Sequence, residues 1–453
     1  LINIKSDSRK IEPGDTFIAL DGVNHDGSEY IHDAIQRGAK RIICKEGDYD
    51  VETVLVPDPH AYLVDFLDAT YQDALKEMTL IGMTGTNGKT TTCFLLYQAL
   101  NQLGISCAYI GTIGFYMDGK VRELGNTTPD VLDLYDMILE AKEHGYSHVV
   151  MEVSSHALSY QRIGHLKFQA VFFSNLTEDH LDFHKTMENY VKEKQKLFLQ
   201  VKEDGICFVN IDDAYASYFL LPDNRTLTYG MHESDYQISE VSLLENCSRF
   251  QVNGVEYEIK LLGKHNIYNM TCVIAYLNEL QVEEKKIQEV VGMLEAPRGR
   301  MDVISFSNRK VMIDYAHTPD AVEKVLLATR EIPHHKIVTI LGCGGDRDAF
   351  KRPIMGKIAT DLSDYVIFTS DNPRNEDPMH ILNDITKSLQ KKNFEVIENR
   401  KEAIDKGIQT LEKNDILLLL GKGHENYQII HNTKYDFDDK IIAETIIEKM
   451  YKE

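Results

Sequence analysis

The run Thr84-Gly85-Thr86-Asn87-Gly88-Lys89-Thr90-Thr91 follows an apolar stretch, Thr79 to Met83, and precedes a helical one, Thr92 to Leu100. Glycines there let backbone N–H groups turn inward on phosphate oxygens. Lys89 suits the outer phosphates of a nucleoside triphosphate, and the Thr90 hydroxyl suits Mg²⁺. The strict phosphate-loop spacing fails, because Met83 holds the first glycine place and Gly82 lies one residue earlier. The loop is therefore a variant. Nucleotide binding is expected of Gly85 through Thr91, namely Gly85, Thr86, Asn87, Gly88, Lys89, Thr90 and Thr91. The competing reading is a glycine-rich turn with an exposed lysine.

Such a loop needs a strand to launch it and a helix to receive it, and the chain supplies that alternation repeatedly. Apolar runs that end abruptly in polar clusters include His148 to Met151 before EVSSH, Ala170 to Phe173 before SNLTEDH and Ile206 to Val209 before NIDD. Between them, Val131, Leu134 and Ile138 have helical spacing, with a stop signal at Lys142, His144 and Gly145. After Ala296-Pro297-Arg298 the pattern restarts with Lys310 to Ile313 before DYAHTPD. It continues with Lys336 to Leu341 before GCGGDRD, Tyr365 to Phe368 before SDNPRNEDP and Ile416 to Leu420 before GKGHE. Strand, polar loop and helix in repetition specify mainly parallel sheets covered on both faces, with ligands beyond the carboxyl ends of the strands. Asp15 to Leu20 and Arg41 to Cys44, before the turn cluster Pro57-Asp58-Pro59, mark a smaller α/β unit. The expected division is 1–77, 78–297 and 298–453, with two of the sheets facing each other across a cleft.

At 453 residues, 43% apolar and 26% charged, the chain is long enough for several packed domains. Its 71 acidic residues against 49 basic give a net charge of -22, without a basic run, so no nucleic-acid partner is expected. No apolar stretch reaches membrane-spanning length, and no charged-then-apolar leader opens the chain. Seven cysteines without a C-x-x-C pair suit a reducing compartment. A cytoplasmic protein without membrane insertion is expected.

With TGTNGKTT, the TTP at Thr127 to Pro129, EVSSHAL at Glu152 to Leu158 and DYAHTPD at Asp314 to Asp320, the chain resembles the Mur ligases. These ATP-dependent amide-bond ligases build the peptide of cell-wall precursors. The likeness runs from DSR at Asp7 to GKGHE at Glu425, and GCGGDRD, DNPR and GKGHE look like the branch that adds the third residue. The resemblance implies an α/β fold of three domains: a small N-terminal α/β domain for the UDP-substrate, a central P-loop parallel sheet, and a C-terminal Rossmann-like α/β domain for the amino acid. It implies ATP and Mg²⁺, an acyl phosphate made on the substrate carboxylate, and attack by an amine. A monomer is expected. Reactants bound on separate domains imply closure.

The family's roles map onto Lys89, Glu152, His180 and Lys194 as the catalytic set, with Thr90, Glu152, His180 and carbamylated Lys194 as metal ligands. Taken alone, His180 in TEDHLD suits a capping or surface histidine, and Lys194 in YVKEKQKLF suits a solvated lysine. Lys192 and Lys196 compete for the carbamate. Adenosine and phosphate contacts fall to Asn266, Asn269, Arg300, Asp314 and His317, although Asn266 equally suits a helix N-cap. The UDP-substrate, UDP-N-acetylmuramoyl-L-alanyl-D-glutamate, falls to Ser8, Arg9, Asn24 and the loop to Gly27, then to Thr127, Thr128, Ser154, Ser155 and Arg162. Tyr160 stands where the family often has Gln, with Gln161 after it.

The amino acid falls to Arg347, Asp371, Asn372, Arg374, Gly421 and Glu425. A planar guanidinium grips a second carboxylate bidentately, which meso-diaminopimelate has and lysine lacks. The family's lysine-adding members lack this arginine, so diaminopimelate is expected. His424 and Cys343 lie in the same loops, where packing accounts for them as well as catalysis does. The alternatives are the same ligation with L-lysine, a folylpolyglutamate synthase-like ligase, and an ATP-binding protein without ligase activity. The chain opens LINIKSDSR, shorter than family members usually are before DSR, so an initial strand or helix is expected to be absent.

Overall fold

The computed structural model describes residues 3–21, 26–431 and 433–451, arranged as two compact units, Leu1–Gln237 and Ile238–Glu453. In the first unit, strands Ile4–Lys5, Thr16–Ile18, Arg41–Cys44 and Glu52–Leu55 form a small parallel sheet. Phe17, Ile31, Ala34 and Ile42 fill its core. The Pro57-Asp58-Pro59 cluster starts the helix Pro59–Lys76. Asp58 accepts from the N–H groups of His60 and Ala61, and Pro59 occupies the first turn, where its missing N–H costs nothing.

The larger sheet of this unit holds six parallel strands in the order Arg225–Gly230, Val201–Asn210, Phe168–Phe173, Thr79–Thr84, His148–Glu152 and Cys107–Gly111. Two short antiparallel strands, Gly114–Met117 and Lys120–Arg122, extend it. From Thr79–Thr84 the chain winds first toward one edge and then returns to wind toward the other. That strand is the switch point, where ligands of open parallel sheets collect. In register, Met83 pairs with Glu152 and Thr84 with Phe173. Three neighbouring strands therefore end side by side, which places the glycine-rich loop, Glu152 and the Ser174–His180 loop together. The helix Val131–Glu143 ends at Gly145, whose φ of 80° fits the expected stop.

In the second unit, strands Ser248–Val252 and Val255–Ile259 pair antiparallel, and the helix Lys264–Glu279 is buried along most of its length. A six-stranded sheet follows, in the order Asp302–Phe306, Arg309–Asp314, Ile416–Leu420, Ile337–Leu341, Tyr365–Phe368 and Phe394–Val396. Only the first pair is antiparallel. The run Ile416–Leu420 is apolar throughout because both faces are covered: Leu418 and Leu420 pack in one core, Leu417 and Leu419 in the other. The α/β class and the parallel sheets are as the sequence led us to expect. No helix among the described residues is long and apolar enough to cross a membrane.

Candidate active site

Two glycines shape the loop of the first unit. Gly88 is left-handed at φ 88°, directly before the helix Lys89–Gln102, and a Cβ on Gly85 would run into the Ser174 hydroxyl. The loop is pinned from the neighbouring strand end. Thr86 N–H donates to the Asn175 carbonyl at 2.8 Å, Asn87 N–H to Asn175 Oδ1 at 3.1 Å, and Ser174 Oγ to the Asn87 carbonyl at 2.6 Å. Ser174 and Asn175 escaped the sequence reading, although SNLTEDH stood out as a strand-end cluster. Thr90 and Thr91 are buried in the first helical turn.

Lys89 Nζ donates to the carbonyls of Gly85 and Thr86, each at 2.9 Å. Lys194 Nζ donates to the same Gly85 carbonyl at 2.9 Å and sits 4.7 Å from the Tyr190 ring. Lys194 is only 1% exposed, so the solvated reading is wrong for it. Its rivals are surface residues: Lys192 pairs with Glu188 and Lys196 with Glu193. Burial, followed by the charge of Lys89, pushes Lys194 well below the ordinary lysine range.

Glu152, 1% exposed, accepts four hydrogen bonds: from Thr90 Oγ1 at 2.9 Å, Tyr109 OH at 2.6 Å, and the N–H and hydroxyl of Thr112 at 2.8 and 3.1 Å. Among the described residues no cationic side chain pairs with this carboxylate. Tyr109 and Thr112 carried no motif and were invisible in the sequence. His180, left-handed at φ 54°, packs edge-to-face with His156 at 4.7 Å. Burial chiefly lowers its basicity, and the charges of Lys194 and Lys89 lower it further, so its neutral imidazole is available to a metal ion.

Thr128 Oγ1 donates to the Glu152 carbonyl at 2.9 Å, and Ser155 Oγ is engaged by His184 Nε2 at 2.9 Å, both side chains being buried. Thr127 Oγ1 meets Thr112 Oγ1, and Ser154 caps a short helix through Ala157 N–H. Arg162 pairs with Asp130 at 2.8 Å, its guanidinium 5.6 Å from the Tyr160 ring. In the small sheet Ser8 is buried and Arg9 pairs with Asp7. Asn24 lies outside the described residues.

In the second unit Asn266 and Asn269 are buried in Lys264–Glu279. Asn269 Nδ2 donates to Asn266 Oδ1 at 3.0 Å, and Asn266 Nδ2 to the Leu262 carbonyl at 2.8 Å. Gly263, not Asn266, is the N-cap. Asp314 ends its strand and accepts from the N–H groups of Met301 and Ala316 at 2.8 and 2.9 Å. Burial raises its carboxyl and Arg300 opposes that rise. The Tyr315 ring gathers Arg300 at 5.1 Å, His317 at 4.6 Å and His424 at 5.0 Å.

Beyond the strands Ile337–Leu341 and Tyr365–Phe368, two arginines flank one glycine. A Cβ on Gly344 would lie 3.0 Å from Arg374 Nη1 and 3.7 Å from Arg347 Cγ. Arg374 Nη1 donates to the Gly345 carbonyl at 2.8 Å. Asn372 Nδ2 donates to Glu425 Oε2 at 2.9 Å, and a Cβ on Gly421 would be 3.1 Å from Asp371 Oδ2. All six residues assigned to the amino acid thus join one cluster. Its acids face a third charge that the sequence reading missed, the fully buried Lys422, 3.3 Å from Asp371 and 3.5 Å from Glu425.

A glycine-rich loop bearing a lysine, a buried carboxylate that no described cation pairs with, and two acids gathered on a buried lysine with arginines in the adjoining loops suit an ATP-dependent acid–amine ligase. Known proteins are similar to this chain in sequence and fold. The model of the Mur ligase middle domain matches residues 83–277, that of the Mur ligase glutamate ligase domain 299–423, and that of the Mur ligase family catalytic domain 2–70. The UDP-N-acetylmuramoyl-L-alanyl-D-glutamate–2,6-diaminopimelate ligase of Clostridium perfringens is 38% identical, covering 98% of this chain and 95% of its own. Its namesake in Fusobacterium nucleatum is 39% identical over 97% and 92%. A solved structure bearing the same ligase name superposes with a TM-score of 0.72 at 30% identity, over 99% of this chain and 95% of that one.

Proposed function

Given that this chain belongs to the Mur ligase family, we propose that it joins meso-diaminopimelate to UDP-N-acetylmuramoyl-L-alanyl-D-glutamate at the expense of ATP, in the synthesis of peptidoglycan precursors. The observation that supports the choice of amino acid is one strand-end cluster: Arg374 Nη1 and the Arg347 side chain adjoin Gly344, Asn372 reaches from there to Glu425, and Asp371 and Glu425 gather on Lys422. Diaminopimelate offers a carboxylate and an ammonium at its far end, and this arrangement suits both.

The loop N–H groups and Lys89 hold the triphosphate, and the substrate carboxylate takes the terminal phosphoryl group. The amine of diaminopimelate then attacks the acyl phosphate, phosphate leaves from the tetrahedral intermediate, and the amide remains. Glu152 is a buried carboxylate with hydroxyl neighbours and no cationic partner among the described residues, a donor set that fits a hard divalent ion. Thr90, Glu152, His180 and Lys194 would hold Mg²⁺, which when bound neutralises the charge where carboxylate meets phosphate.

Lys194 supports its own modification. With its pKa depressed, Lys194 gives its ammonium proton to water, the neutral Nζ adds through its lone pair to the carbon of CO₂, and a second proton leaves to water, so that a cation becomes an anion. That removes the clash of two ammonium groups at Gly85 and adds a carboxylate for a metal ion. The three-part division 1–77, 78–297 and 298–453 belongs to this reading, as do cytoplasmic action on small-molecule substrates and a monomeric state.

The test is phosphate release from ATP with the UDP-dipeptide and a panel of amino acids. Release that depends on meso-diaminopimelate, with little on L-lysine, is expected. Release with lysine alone, or with folate substrates, would refute the reading.

A further inference from the structure

Lys422 follows the strand Ile416–Leu420 and has no exposed surface. Its ammonium donates to Asn372 Oδ1 at 3.1 Å and to the Tyr427 carbonyl at 2.6 Å. It also pairs with Asp371 Oδ1 at 3.3 Å and Glu425 Oε2 at 3.5 Å. One buried cation thus touches three of the residues assigned to the amino acid. Asn372 is held at both ends of its amide, with Oδ1 taken by Lys422 and by Ile429 N–H, and Nδ2 by Glu425.

The charge count around Lys422 is uneven. Asp371 and Glu425 bring two acids against one ammonium. The other buried cation nearby, Arg400, is committed to Asp439 at 2.6 and 2.9 Å and to the Leu420 carbonyl. Asp371 Oδ1 is buried and lacks a hydrogen bond, its 3.3 Å approach to Lys422 falling outside hydrogen-bond geometry. A buried acid short of a donor beside one surplus negative charge is an incomplete site, and an incoming ammonium completes it.

We propose that Lys422 is a positioning residue for the amino acid: it fixes Asn372 and Glu425 and limits the acid pair to one surplus negative charge, so that the pocket admits one substrate ammonium. This rests on the ligase reading above. Without Lys422 the two acids would repel, Asn372 would lose an anchor, and Glu425 would bind a proton in place of the substrate. Burial and then the charge of Asp371 raise the Glu425 carboxyl, and Lys422 opposes that rise by its charge and its hydrogen bond.

Replacement by methionine keeps the length and removes the charge. In full-length K422M the KM for diaminopimelate is expected to rise about tenfold or more, while the KM values for ATP and the UDP-dipeptide stay within about twofold. The acidic limb of the diaminopimelate KM–pH profile should move to higher pH, which a merely structural lysine would not cause. A folded K422M with unchanged KM and pH limb overturns the proposal. If stranded acids prevent folding of K422M, K422M/E425Q removes one charge of each sign and is compared with E425Q. A higher KM in the double variant supports the proposal, and an equal one overturns it. Wild-type enzyme that releases no phosphate with any diamino acid would overturn the functional reading itself, and this inference with it.

Discussion

Lys194 and Lys89 point their ammonium groups at one acceptor, the carbonyl of Gly85, each at 2.9 Å. Burial, followed by the charge of Lys89 at the same oxygen, pushes Lys194 well below the ordinary lysine range. On the function proposed above, Lys194 is the residue that takes up CO₂. Lys194→Ala should lose roughly 100-fold or more in turnover, the range for removing a positioned charge from a phosphoryl-transfer site. Short carboxylates should restore part of it by standing in for the carbamate. Intact mass measured in bicarbonate should show a gain of one CO₂ in the wild type and none in the variant.

Glu152→Gln separates activity from stability. Thr90 and Thr112 present hydroxyls to Oε2, and a hydroxyl can turn to accept from an amide. The Tyr109 hydroxyl and Thr112 N–H still find an oxygen at Oε1. The amide fits, and the cost of a buried charge without a cation disappears. The variant should melt no lower than the wild type, yet need far more Mg²⁺ and lose about 100-fold in turnover. A sharp fall in melting temperature would contradict this account of the buried carboxylate.

The strands were legible because a strand buried on both faces reads as an unbroken apolar run. His148 to Met151, Ala170 to Phe173 and Ile416 to Leu420 all lie in strands whose ends fall within two residues of the expected places. The loops at their carboxyl ends were legible because glycine and polar residues crowd there. What stayed hidden was burial of single side chains. Lys194 sits among exposed lysines on one short helix, and nothing in its local sequence distinguishes the inward-facing one. Lys422 is hidden likewise, since its partners Asp371 and Asn372 come from a distant loop. Tyr109 bonds Glu152 across the sheet from within a strand, where a tyrosine normally reads as core.

Arg374→Lys should act on one substrate only. The guanidinium offers a planar fork for a carboxylate, and lysine offers a point charge. Losing one charged pair of hydrogen bonds costs about 1.5 to 3 kcal/mol, or roughly 10- to 100-fold in the KM for diaminopimelate. ATP binding, measured by calorimetry, should be unaffected. Equal losses toward both ligands would place Arg374 outside amino-acid selection.

His424 should set an acid limit on stability rather than on the reaction. Burial, and then the charges of Arg300 and Arg298, push its imidazole down to about 4. Its Nδ1 is buried without a hydrogen bond, so protonation brings no compensating contact. Between the ordinary value of 6.5 and about 4, the unfolded chain binds a proton that the folded chain refuses. Stability in that window therefore rises with pH and is lost as pH falls, by at most about 3.4 kcal/mol from this one group. Urea unfolding of wild type and His424→Gln from neutral pH downward tests this. The wild-type midpoint should drop more steeply with acid than the variant's, and parallel curves would mean that the imidazole is already protonated in the folded protein.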